Sequence, residues 1–284
     1  MTRSTKLGHH LLNRKLLLAS ILLSSAGIVA AAGLVPADTN GGAQSANRKA
    51  KKSANASAGV PSEIPMPFRI GEKLNYRVAW AAFTSAASIE LTVPERRDVL
   101  GWGTWHFRAS AHTLSPVRSL YSLDDQFDSY TDTATLESRQ YETYLNEMGK
   151  KQEQQLHFLP EGQSSRGNVP GIVVSPGTRD PLGALYALRG VDWDHATEFK
   201  VPVYDGHDVY ELRARLEVPA ETVVVAAGNY SVSKISIRLF QRGKELDGIT
   251  FSASLAHDKA RTPVLMQADL PFGNLRVELV SAVQ

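Results

Sequence analysis

The sequence predicts an all-β protein: one large antiparallel curved sheet, a sandwich or a rolled barrel, with one short helix. Three observations carry that class. Apolar residues recur at every second position in run after run beyond Phe68, turn-forming residues separate the runs, and a single stretch has helical spacing behind a helix-start signal.

In chain order, the first segment reads as an export signal. Arg3, Lys6, Arg14 and Lys15 precede an apolar run from Leu16 to Ala32, and Ala30-Ala31-Ala32-Gly33 supplies the small side chains a signal peptidase requires. Residues 1–33 are therefore expected to be a signal peptide. The alternative is an uncleaved anchor in the inner membrane, since the run is near the lower length limit for a spanning helix. Either reading puts the remainder in the periplasm or outside the cell. Residues 34–67, rich in Ala, Ser, Gly, Asn and Lys, offer almost nothing to bury and are expected to form a disordered linker. Membrane contact is expected through the N-terminal segment alone.

Residues 68–284 read as a single β-rich domain. Leu74, Tyr76, Val78 and Trp80 alternate with Asn75, Arg77 and Ala79, which places one set on a buried face. Ile89, Leu91 and Val93 repeat the pattern, as do Ile235, Ile237 and Leu239, and finally Leu275, Val277 and Leu279. Hairpin punctuation falls at Leu100-Gly101, Asp205-Gly206, Ala227-Gly228-Asn229, Arg242-Gly243 and Gly273-Asn274, and about a dozen strands are expected. The helix begins at Asp180, a good N-cap, with Pro181 at the first helical position. Leu182, Leu185, Tyr186, Leu188 and Arg189 follow at helical spacing, and Gly190 ends it.

The residues also resemble a known family. Pro67-Phe68 followed by Gly71-Glu72, Leu74 and Tyr76 is similar to the opening of the exported bacterial family called domain of unknown function 3108. Asp180-Pro181-Leu182 with Leu185-Tyr186 and Leu188-Arg189 resembles its central helix. Asp205-Gly206, Tyr210 and Ala227-Gly228 resemble its later hairpins, and Asp258, Arg261, Pro263-Val264 and Gly273 its closing strands. The chain departs from the family at Ser254, where a tryptophan is common. The resemblance implies export and a β fold, and it defines no catalytic residue.

Composition narrows the chemistry. With no cysteine there is no disulfide, thiol nucleophile, Cys-ligated zinc or lipid-modified cysteine. Residues 1–67 hold eight basic and two acidic side chains, so 68–284 carries a net charge of −4 and has no general attraction for nucleic acid. Asp124, Asp125, Asp128 and Asp132 form the densest acidic cluster. Their alternation puts Asp124, Asp128 and Asp132 on one strand face, expected to be a solvated strip rather than a calcium site, because no loop brings in further oxygens. His106 and His112 share a strand face but lie about 20 Å apart, too far to share a metal. Ser252, Ser254, His257 and Asp258 hold triad letters without converging geometry, and no nucleophile elbow occurs. Glu90, Glu95, Glu142 and Glu147 are the carboxylates available for a glycan hydrolase.

The aromatics are the stronger signal. Trp80, Trp102, Trp105, Tyr121, Tyr130, Tyr141, Tyr144 and Phe158 crowd the first half, mostly as core, with some expected to line a concave sheet. The leading expectation is a non-enzymatic envelope protein that binds a lipid, an amphiphile or an envelope glycan. Trp80, Tyr121, Tyr186 and Arg189 are the candidate rim or lining residues, and no metal or cofactor is expected. A structural or partner-docking protein and a glycan-directed hydrolase are the alternatives. A lined cavity favours the first, a solid core with an unprotected edge strand the second, and two facing carboxylates the third.

Overall fold

The period-two pattern becomes a ladder of antiparallel strands in the computed structural model, which describes residues 65–159, 163–166, 169–271 and 273–284. The expected leader over 1–33 and nearly all of the expected linker lie outside the described residues. At its junction with the body, Met66 packs on the core and Pro67 is buried.

In chain order the elements are β1 (Lys73–Trp80), β2 (Phe83–Val99), β3 (Trp102–Thr113), a helical turn α1 (Val117–Leu120), β4 (Asp124–Asp132), β5 (Ser138–Glu147) and β6 (Lys150–Leu159). Next come β7 (Gln163–Arg166), β8 (Val169–Val173), the helix α2 (Pro181–Gly190), β9 (Glu198–Tyr204), β10 (Val209–Val225) and β11 (Gly228–Gln241). The chain closes with β12 (Lys244–Glu245), β13 (Thr250–Ala256), β14 (Pro263–Leu270) and β15 (Gly273–Val283). The four-residue α1 has no counterpart in the sequence reading, being too short for a helical period to register.

All strands belong to one sheet, ordered β8-β7-β6-β5-β4-β3-β2-β1-β15-β14-β13-β11-β10-β9, with the short β12 pairing on β11. Neighbours are mostly consecutive hairpins. Besides β11 with β13, the exception is the middle of the ladder, where β1 pairs with β15 from Lys73 opposite Val283 to Trp80 opposite Leu275. The sheet curls into an open roll. Near its β9 end the segment before α2 acts as a clasp: Arg179 N donates to Pro202 O at 3.0 Å, Tyr204 N donates to Arg179 O at 2.9 Å, and Ser138 N on β5 donates to Thr178 O at 3.3 Å. The β9–β10 turn then comes against β6. Gly206 has φ +96° there, and a Cβ on it would stand 2.3 Å from the Gln154 amide nitrogen and 2.9 Å from Leu156. Only glycine suits both the backbone angle and the close approach.

The concave face carries the core. On β2, Leu74, Tyr76 and Val78 meet Leu91, Ile89 and Ala87 through register, and on β15 Tyr76 and Val78 meet Leu279 and Val277, so apolar rows cross β2, β1 and β15. The helix α2 lies within the curl. Its N-cap Asp180 accepts from Gly183 N at 2.8 Å and from the hydroxyls of Ser129 at 2.6 Å and Ser138 at 2.5 Å. Those contacts satisfy a buried carboxylate and tie the start of α2 to β4 and β5. At the other end the Arg189 guanidinium grips Glu72 with both nitrogens, at 2.7 and 2.8 Å, and also donates to Ala260 O at 3.0 Å. This pair is wholly buried. It fixes α2 to the residue before β1 and to the β13–β14 turn.

Candidate functional site

The spacing of α2 gives it two apolar stripes rather than one. Leu182, Tyr186 and Arg189 face the β2–β4 side, where the Tyr186 ring stacks on Phe107 with centroids 3.7 Å apart and Phe68 meets both edge-on. Pro181, Ala184, Leu185 and Leu188, at i, i+3, i+4 and i+7, face the other way. That second stripe does not reach the opposite wall everywhere. Between it and the sheet lies an open pocket of about 830 Å³, a volume that counts the solvent at its mouth.

The wall opposite α2 comes from Ile89 and Leu91 on β2, Val203 on β9, Leu212 on β10, Ile237 and Leu239 on β11, Phe251, Ser252 and Ala253 on β13, and Met266 and Gln267 on β14. Thirteen of the fifteen lining residues are apolar, and none is charged. Such a surface has nothing to hold an ionised group and everything to hold hydrocarbon, whose transfer from water is worth about 25 cal/mol per Å².

None of the four candidate lining residues belongs to this pocket. Trp80 sits half-buried at the end of β1, its indole over Gly273, and Tyr121 lies half-buried with its hydroxyl donated to Glu147. Tyr186 and Arg189 are fully buried on the opposite stripe of α2, within the core rather than at a rim. The signal that would have found the pocket is the helix itself. A helix that is apolar on both stripes must be covered on both, and the 181/184/185/188 stripe is the one left partly uncovered.

The acidic strip on β4 requires a correction. Its even-numbered residues do share a face, as expected, but that face is largely buried at Asp128 and Asp132 rather than solvated. Neighbouring strands supply the cover. Asp128 accepts from His106 at 2.5 Å, Arg108 at 2.7 Å and Gln126 at 2.6 Å, while Asp124 accepts from Arg118 and His112. Burial pushes the Asp128 carboxyl up, and the bonds from His106, Arg108 and Gln126 outweigh it, so the group stays below the usual carboxylate range. For Asp124, chiefly the Arg118 bond holds the carboxyl down at about 2. His106 and His112 therefore serve different aspartates, four residues apart on β4. The adjacent Tyr130, stacked on His106, has its phenol pushed up to about 12 by burial and by Glu142 and Asp128.

The triad letters do not converge. His257 bonds Ser231 and Ser233 on β11 rather than Ser252 or Ser254, and Asp258 caps the β13–β14 turn through Thr262. Asp205 accepts from the amides of His207 and Asp208, which makes Asp205–Asp208 the expected hairpin turn. Among the eight singled-out aromatics, Trp105, Tyr130, Tyr141 and Phe158 are buried, whereas Trp102 and Tyr144 are exposed, with the Arg139 guanidinium 4.0 Å over the Trp102 ring. Among the described residues no group of three or more His, Asp or Glu side chains is placed to hold a metal ion.

Comparison with known proteins bears on the fold and the family. The structure is similar to a β-barrel-like protein of domain of unknown function DUF1849 from Brucella abortus, at 13% identity and a TM-score of 0.50, covering 75% of this chain and 96% of that one. It is also similar, with a TM-score of 0.36 and 12% identity, to a DUF1089 family protein from Pseudomonas aeruginosa, over 66% of this chain and 93% of the other. No curated protein matches the sequence. The family model described as protein of unknown function (DUF3108) matches residues 75–280, from the first strand to the last, and the chain belongs to that family.

Proposed function

We propose that this is an exported envelope protein that holds the hydrocarbon part of a lipid or amphiphile in the pocket beside α2, without catalysing a reaction. The observation that carries the reading is the lining. Thirteen apolar side chains and no charged one surround the space, so affinity comes from burial of the chain and any polar headgroup stays at the mouth. Export is supported by the basic n-region, apolar run and small-residue site of residues 1–33.

The test is displacement of a fluorescent fatty acid by unlabelled lipids, paired with native mass spectrometry of protein taken gently from envelope extract. Leu185→Trp fills the pocket from the helix side, and it is expected to weaken fatty-acid binding at least about tenfold while the circular-dichroism spectrum is unchanged. Equal affinity in the variant, or no retained ligand in the native protein together with no fatty-acid binding, overturns the reading.

A further inference from the structure

A separate feature points to a second interaction surface, independent of the pocket. The β3–β4 and β5–β6 connections meet at one end of the roll. Met148 N donates to Ser122 O at 2.8 Å, Ser122 N donates to Met148 Sδ at 3.3 Å, and Leu123 bridges to Glu147. Arg118 N closes α1 on Leu114 O at 2.8 Å, and Leu114 N is held by Ala86 O at 2.9 Å. These bonds fasten the two loops into one tip.

What the tip displays is unusual for a surface. Leu120 is 72% exposed, Met148 56% and Leu114 36%, so three large apolar side chains project from adjoining turns. Single exposed apolar residues need no explanation, but a group of them on one tip does. Two lysines adjoin them. Arg118, Lys150 and Lys151 stand around the apolar group, with Asp124 bonded to Arg118, Glu147 buried and taking the Tyr121 hydroxyl, and Glu153 further along β6. Arg118 is held by Asp124, which leaves Lys150 and Lys151 as exposed cations beside Met148. Lys150 and Lys151 are thus the exposed charges nearest the apolar group, on a body whose net charge is −4.

We infer that this tip, Leu114, Leu120 and Met148 flanked by Lys150 and Lys151, docks on an anionic lipid bilayer. Apolar side chains sunk to the headgroup boundary with lysines over acidic headgroups are the chemistry of peripheral membrane contact. The tip also lies toward the strand ends nearest the pocket. Val203 is one residue from the end of β9, Leu212 lies near the start of β10, and Phe251 lies near the start of β13, all at the end of the ladder that carries the β3–β4 and β5–β6 turns. A docked tip would bring that end to the membrane.

The absence of cysteine makes a clean test available on the full chain. A single environment-sensitive fluorophore is attached at Leu120→Cys, and in a second protein at Lys259→Cys, in the β13–β14 turn at the opposite end. Vesicles of phosphatidylglycerol or of phosphatidylcholine are then added. The expected result is a blue shift at 120 with phosphatidylglycerol, quenched by lipids labelled in the acyl chain, and none at 259. That shift is lost with phosphatidylcholine, in Met148→Asp, and in the double variant Lys150→Glu/Lys151→Glu. Because the leader remains in every sample, its own membrane affinity is common to all arms. No shift at 120, equal shifts at 120 and 259, or a shift indifferent to lipid charge and to all three substitutions overturns the inference. Fatty-acid binding without vesicles reads the pocket alone, so failure of one reading is distinguishable from failure of the other.

Discussion

Asp128 illustrates how a single residue can be read correctly for direction and wrongly for environment. Alternation along β4 assigns its face, yet whether that face is wet depends on His106 and Arg108, which arrive from another strand. Its pH behaviour follows. A folded carboxyl held below its ordinary value, near 3.9 for aspartate, contributes stability that is fully present above that value and is lost as pH falls through the lower folded value. Asp128→Ala should therefore cost about 1–3 kcal/mol in urea unfolding at pH 7, since it leaves His106 and Arg108 without their acceptor. The gap between wild type and variant should narrow steadily below about pH 4. A gap that persists unchanged at pH 2 would contradict the assignment.

At the scale of elements, the bounds of α2 are legible in the sequence and its orientation is not. Its bounds follow from Asp180, Pro181 and Gly190, because capping is local chemistry. Its two faces are not local. Tyr186 and Arg189 are large and polar-tipped, traits of a rim residue, but the roll closes over them and leaves the plainer Ala184 and Leu185 facing the space. Arg189 instead anchors the helix through the buried Glu72 pair. Removing one partner strands the other, so Arg189→Met or Glu72→Leu alone should cost about 3–5 kcal/mol. The double variant Arg189→Met/Glu72→Leu should recover most of it. Thermal and denaturant unfolding of the three proteins checks this, and additive losses would mean the two side chains are not coupled.

The whole molecule depends on a pairing between the ends of its body. Because β15 sits between β1 and β14, the strand that arrives last joins the two halves of the ladder. Ending the chain after Leu270 would uncover an edge on each of β1 and β14 and the core row of Leu275, Val277 and Leu279. The expected outcome is loss of soluble monomer on size-exclusion chromatography and loss of the cooperative unfolding transition. A truncated protein that stays monomeric and unfolds cooperatively would show that β15 is dispensable.

The sequence by itself determined the all-β class, the hairpin positions at Asp205-Gly206 and Gly243, and the bounds of the central helix. Each rests on interactions among residues a few positions apart: a pleat that alternates sides, a backbone angle only glycine takes freely, a carboxylate reaching an amide three residues on. Tertiary structure alone decided which acids are buried, which stripe of α2 meets empty space, and that Leu120 and Met148 stand together. Those outcomes turn on contacts between residues dozens to hundreds of positions apart, as with Arg189 and Glu72, and a strand carries no record of which partner will lie beside it.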